Sequence, residues 1–427
     1  DLHALLLAAV AESDGVLKLG VFFAAGFEAE GRAVFVGRVS IRPRSDRLVG
    51  EMNPNAVRSR PRKTVEQRGL LHGTTGTSRL IVIQRAPFCH PLIMAGKRGC
   101  LKTLLLLAVL SLLLVWLVAE VFFNVNSNLV ALSVRNSTQP LQILSRRGDW
   151  KSASALTTAD LAAATIKRHE EPGMTWGTLK VRRTGGSFAD MAQRVFGAEV
   201  HVVTLAPDRF DFMTTFQPKF TLTTARERIG EENLWFAITA NFRDPKGRPM
   251  GWVYHEGKQV NSPFGEWSGC FFVKDGRPWF GPKSLLNEVP GLIQEGSQVY
   301  PSVMKNHTVF SYVEMKPDEF FDGSKISYRA LGGMRKDGTI VFVLSGDGGV
   351  MNVSEVTEIA RKLDVQHATL LDGGRALQYS IRTDDGPWHF HAFNTELPFQ
   401  HKWLERQRSP VYIGARRKAP LIVTGAP

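Results

Sequence analysis

Ala368-Thr369-Leu370-Leu371-Asp372-Gly373-Gly374-Arg375 is the stretch that decides the fold. Four apolar or β-tolerant residues run into an acid and two glycines. Such a run suits a strand covered on both faces. The glycines let the backbone turn sharply and approach a ligand. Asp372 is then presented at a strand end, where α/β sheets tend to place chemistry.

Upstream, Thr339-Ile340-Val341-Phe342-Val343-Leu344 is a second apolar, β-branched run, ending in Ser345-Gly346-Asp347-Gly348-Gly349. Between the two runs, Val353, Val356, Ile359, Ala360 and Leu363 recur at helical spacing and make one apolar stripe. Asn352 followed by Glu355 predicts a capping box, and Arg361 and Lys362 suit the last turn. The pattern is strand, helix, strand. It predicts a right-handed βαβ crossover, with Asp347 and Asp372 at one edge of a sheet. Asp-Gly is also common turn chemistry, a reading that suits Asp347 better than Asp372 with its bulky strand and double glycine.

Working outward, the 427 residues suffice for two or three domains. A hydrophobic share of 43% with 22% charged residues is that of a globular chain with a large core. The net charge of +13 points to an anionic partner. Nucleic acid is not expected, because the basic residues are scattered and no helix-turn-helix, zinc-finger or RNA-binding signature occurs. Cys89, Cys100 and Cys270 are too few and too irregular for a disulfide framework or a zinc site.

Leu104 to Phe123 is apolar except for Ser111 and Glu120, and its 20 residues match the length that crosses a bilayer. Lys97, Arg98 and Lys102 precede it, and no lysine or arginine follows until Arg135. The positive-inside bias puts the N-terminus in the cytoplasm and the main domain in the periplasm or outside the cell. The competing reading is a cleaved signal peptide, against which stand the poor cleavage site Leu117-Val118-Ala119 and the length of the apolar run. Residues 1–93 read as a disordered leader or an over-extended reading frame, 94–125 as a cytoplasmic start with a transmembrane anchor, and 126–185 as a helical stalk or linker. From 186 to 418 strand-like runs alternate with the hairpin signals Glu256-Gly257, Asp275-Gly276 and Asp337-Gly338. Residues 419–427 are a tail. The fold class is α+β: mixed β-sheets with antiparallel hairpins and a βαβ crossover, preceded by one transmembrane helix.

Four segments of this region resemble the phosphodiester glycosidase family. Phe236 to Asp244 with Gly247-Arg248-Pro249-Met250-Gly251 is similar to its early asparagine-glycine-phenylalanine loop. Gln298 to Val303 resembles its glutamine-to-proline strand, and Tyr328-Arg329-Ala330-Leu331-Gly332 its arginine strand. Leu370 to Gly374 resembles its most specific motif. Thr239 stands where the family loop usually opens with asparagine, and Arg375 and Ala376 replace a glycine and a serine.

The resemblance implies hydrolysis of a sugar-1-phosphodiester at the anomeric C–O bond, through an oxocarbenium-like transition state. It makes 186–418 the glycosidase-like domain and a surface polysaccharide the setting. Asp372 is the expected catalytic carboxylate, Arg329 the phosphate clamp and Asn241 the residue that orients sugar hydroxyls. Gly373 and Gly374 are expected to offer backbone N–H groups to an anion, with Arg375, Asp347 and Ser302 as further ligand-binding positions. No cofactor is expected, and the sequence leaves a divalent metal open. His389 and His391 fall on one strand face, with His401 ten residues on, a spacing that matches no metal signature. The alternative is a non-catalytic glycan- or phosphate-binding envelope protein that keeps the fold.

Overall fold

The computed structural model describes residues 5–13, 16–27, 33–39, 97–265, 267–310, 321–392 and 408–419. His401, most of 1–93 and most of the tail lie outside them. The chain divides into two units, Asp1–Pro91 and Leu92–Pro427. In the first, Leu5–Ser13, Val16–Phe27 and Ala33–Val39 form an antiparallel sheet.

The second unit holds mixed antiparallel sheets with some helices. Its largest sheet runs, in order, through Ser302–Lys305, Val365–Leu370, Ala330–Arg335, Ile340–Ser345, Glu199–Leu205 and Met174–Arg182. Two five-stranded sheets lie against it, one centred on Phe236–Thr239 and one on Ile293–Val299. The strand Ile340–Ser345 shows why an unbroken apolar run is needed. Phe342 and Leu344 join the core shared with Phe236, Phe280 and Tyr379, while Val341 and Val343 join the core under the helix Val353–Lys362. Both faces are covered, so both residue parities are apolar.

That helix forms as its pattern predicts. Asn352 accepts from the Glu355 N–H at 2.9 Å, and its own N–H donates to the Glu355 carboxylate at 3.0 Å. Val353, Val356, Ile359 and Ala360 are fully buried. Each large member contributes roughly 1.5–3 kcal/mol by leaving water.

The crossover differs from the expected one. Ile340–Ser345 and Val365–Leu370 do not pair with each other; both pair antiparallel with Ala330–Arg335, which lies between them. The turn at Asp337-Gly338, with Gly338 at φ 89°, pairs Ala330–Arg335 with the next strand first, so the helix returns the chain one strand further on. Two strands antiparallel to the same neighbour run in the same direction, so the Asp347 and Asp372 loops still leave one end of the sheet.

The segment 126–185, read as a helical stalk, carries the helices Val125–Val134 and Thr158–Ala164 and also strands. Met174–Arg182 pairs with Glu199–Leu205 from Met174 to Lys180, because Met174, Trp176, Leu179 and Val181 are apolar residues that the two cores bury. The sheet therefore extends N-terminal to residue 186. Ahead of it, Lys97–Phe123 is one helix. Its stretch Lys102–Glu120 is long and apolar enough to cross a membrane, with a mean hydropathy of 2.5. Asn124, at φ 48° and ψ 52°, breaks it from Val125–Val134.

Candidate active site

Asp372 stands where three strands end. Leu370 N–H donates to Pro301, Leu371 N–H to Ala330 and Asp372 N–H to Ala240, at 2.9, 2.9 and 3.1 Å. Consecutive residues thus bind the large sheet and then the Phe236–Thr239 sheet, so Asp372 sits on the seam between them. Its side chain is 5% exposed. Burial pushes the carboxyl up to about 7, against the Arg243 charge and the Gly373 N–H, which both favour the carboxylate. An acid that changes charge near neutrality suits proton transfer.

The turn that follows is tightly fitted. Gly373 has no room for a side chain, because a Cβ there would lie 2.7 Å from the Tyr328 carbonyl oxygen. Gly374 takes φ 59° and donates its N–H to that same carbonyl at 2.8 Å. The two N–H groups expected to receive an anion therefore have internal partners, the Asp372 carboxyl and the Tyr328 carbonyl. Arg375 is exposed on the 3-10 turn Gly374–Ala376.

The other expected residues are placed differently. Asn241 is fully buried. Its amide donates to the carbonyls of Met250 and Gln298 at 3.0 and 2.9 Å, and its oxygen accepts from the Ser297 hydroxyl. Every one of those bonds is internal, so Asn241 locks the loop after Phe236–Thr239 onto Ile293–Val299. Arg329, 8% exposed, donates to the carbonyls of Asp322, Lys325 and Met351 and lies over the Phe321 ring. Burial lowers its pKa to about 10, which leaves it cationic at neutral pH. It organises the 321–329 segment. Ser302 is buried, with its N–H on the Ser268 hydroxyl. Asp347 is exposed and accepts from the Asn124 amide at 3.1 Å. Asp347 thus faces the end of the apolar helix, and Arg243 is the cation whose charge acts on Asp372.

Arg243 is the cation that sequence reasoning passed over. It lies in the quoted loop, two residues after Asn241, and is half-buried. The signal was present: a buried asparagine fixes the loop, and the next residue of the same parity is an arginine. Asp244 makes a turn, accepting from the N–H groups of Lys246 and Arg248. Thr239, where the family has asparagine, is buried and donates to the carbonyls of Ala376 and Gln378. It therefore ties the loop to the turn that carries Arg375. Among the described residues, no group of three or more His, Cys, Asp or Glu side chains is placed to hold a metal ion.

Residues 232–404 match the family model of the phosphodiester glycosidases. The glycosidase match begins just before Phe236–Thr239 and takes in Asn241, Arg243, Arg329 and the Asp372 turn; Glu199–Leu205 and Met174–Arg182 of the largest sheet lie outside it. Solved structures resemble the chain more broadly. One is the zebrafish N-acetylglucosamine-1-phosphodiester alpha-N-acetylglucosaminidase catalytic domain, auto-inhibited by its pro-peptide. It is 14% identical with a TM-score of 0.46, over 60% of this chain and 87% of that one. A hypothetical protein from Synechocystis is 12% identical with a TM-score of 0.43, over 60% and 64% of the two chains. An exported protein from Burkholderia pseudomallei K96243 is 10% identical with a TM-score of 0.37, over 66% and 92%. No curated protein matches the chain.

Proposed function

We propose that the chain is a membrane-anchored, extracytoplasmic hydrolase of glycosyl phosphodiesters, acting in surface polysaccharide metabolism. The observation that carries this reading is Asp372: a carboxyl on the seam of two sheets, held near neutrality by burial, beside a cation, within the stretch that matches phosphodiester glycosidases. In the reaction, the bond between the anomeric carbon and the phosphate oxygen breaks. Its electron pair leaves with the phosphate monoester, and a water oxygen bonds to the anomeric carbon. Asp372 accepts the proton that water gives up, or first bonds the carbon itself. Arg243 favours the carboxylate form and attracts the phosphate. Asn241 and Arg329 act as positioning residues that hold the two loops around Asp372. The helix Lys97–Phe123 supports the anchor, and the lysines and arginine before it support an N-terminus in the cytoplasm.

A second reading has its own support. The Gly373 and Gly374 N–H groups, the Asn241 amide and most of the Arg329 donors are spent on internal partners. With those donors withheld from a transition state, and with Arg375 exposed where the family has a glycine, the domain fits a glycan- or phosphate-binding envelope protein that does not turn over. A panel of sugar-1-phosphodiesters offered to the full chain separates the two. Release of free sugar that Asp372→Asn abolishes supports the hydrolase. Binding without release, unchanged in Asp372→Asn, supports the binding protein and ends the enzyme reading.

A further inference from the structure

The helix Ser187–Phe196 has two faces that the rest of its unit treats differently. Ala189 and Ala192 are buried against the domain, and Gln193 accepts from the Arg183 N–H and donates to the Arg183 carbonyl, both at 2.7 Å. Phe188, Met191 and Val195, spaced i, i+3 and i+7, form a stripe on another face, at 53%, 55% and 66% exposed. Leu132, on the helix Val125–Val134 that packs beside it, is a further exposed apolar residue, at 59%. Asp190 and Arg194 occupy the flank.

Continuity says what covers the stripe. The Phe196 ring stacks on Trp116, with centroids 6.0 Å apart and planes 23° apart. Trp116 belongs to the apolar stretch Lys102–Glu120, none of which is buried by the protein. It lies seven residues before the last residue of its helix, about 10 Å along the axis at 1.5 Å per residue. That equals the depth to which an interfacial helix sinks, about 5–10 Å below the headgroups. The exposed stripe is thus an extension, at the right level, of a surface that only lipid suits.

We propose that Ser187–Phe196 is an interfacial helix, immersed in the boundary between headgroups and acyl chains of the leaflet from which the span emerges. This rests on the reading of Lys102–Glu120 as a span, and not on the hydrolase activity. The full chain in phosphatidylcholine–phosphatidylglycerol nanodiscs tests it, with Cys89 and Cys100 replaced by serine and Cys270 left buried in the core. Bimane is attached in turn at Leu112→Cys, Met191→Cys and Asp190→Cys, and nitroxide-labelled lipid is the quencher. The expected result is quenching at 112 and 191 that exceeds that at 190 by about twofold or more. Quenching at 112 with none at 191 overturns the proposal and keeps the span. Quenching at neither overturns both.

Discussion

The Asp372 N–H donates to the Ala240 carbonyl at 3.1 Å, the one backbone bond by which the acid's own residue reaches the neighbouring sheet. Asp372 is therefore held by main chain on a seam, while its carboxyl is denied water. The strand end fixes where the group is, and the burial fixes what it costs.

That cost has a pH dependence. The carboxyl's ordinary value of 3.8 rises to about 7 in the folded protein. Between those values the folded chain holds a proton that the unfolded chain has released, so stability falls as pH rises through the window and the loss is complete above it. The shift corresponds to about 4 kcal/mol. Asp372→Asn, which cannot ionise, is expected to exceed the parent in urea midpoint at pH 8 and to equal it near pH 4, while losing hydrolysis. Equal midpoints at both pH values would remove the buried charge from the account.

Arg243 supplies the charge that opposes burial at Asp372. Arg243→Gln removes it, so the Asp372 carboxyl rises further. The acid limb of kcat/KM, expected near pH 7 in the parent, then moves to higher pH. A limb that stays in place would mean that Arg243 acts on the substrate alone.

Asn241→Ala is expected to destabilise the domain by about 2–4 kcal/mol, since it takes this donor from the buried Gln298 carbonyl and the part-buried Met250 carbonyl and leaves the Ser297 hydroxyl without its acceptor. Asn241→Asp does not rescue it, because a carboxylate cannot donate. Chemical denaturation of the three proteins checks this. A small loss in Asn241→Ala would return Asn241 to the role of substrate contact.

Arg329→Lys keeps the charge but cannot reach the carbonyls of Asp322, Lys325 and Met351 together. Hydrogen exchange across 321–329 is expected to quicken, with the rest of the sheet unchanged. Unchanged exchange there would free Arg329 for a phosphate.

Local pattern was legible where local physics decides. The apolar runs at 340–344 and 368–371, the stripe Val353–Leu363 and the Asn352 cap were all readable, because each depends on residues within a turn or two. The sheet order was not. That Ala330–Arg335 lies between Ile340–Ser345 and Val365–Leu370 follows from a hairpin winning over a crossover, a competition between elements. Polar residues were the hardest. Asn241 and Arg329 carry the side chains that bind sugars and phosphates, and the same donors serve buried carbonyls equally well. Type and spacing do not say which; the folded neighbours do, Met250 and Asp322 from nearby loops and Gln298 and Met351 from distant strands and loops. Arg243 was missed for the same reason: the acid it acts on is 129 positions away in the sequence.

The helix Lys97–Phe123 passes through a single left-handed residue, Asn124, into a helix whose Ser127 hydroxyl accepts from the Gly348 N–H and bonds the Tyr328 hydroxyl, both at 2.8 Å. There is no spacer. A flexible tether would let a catalytic domain sweep a volume whose radius grows with the square root of the tether's length. Here the radius of that volume is close to zero. With the span in a bilayer, the domain is carried at one height and one bearing, and its search is two-dimensional. What it meets is set by lateral diffusion in and on its own leaflet.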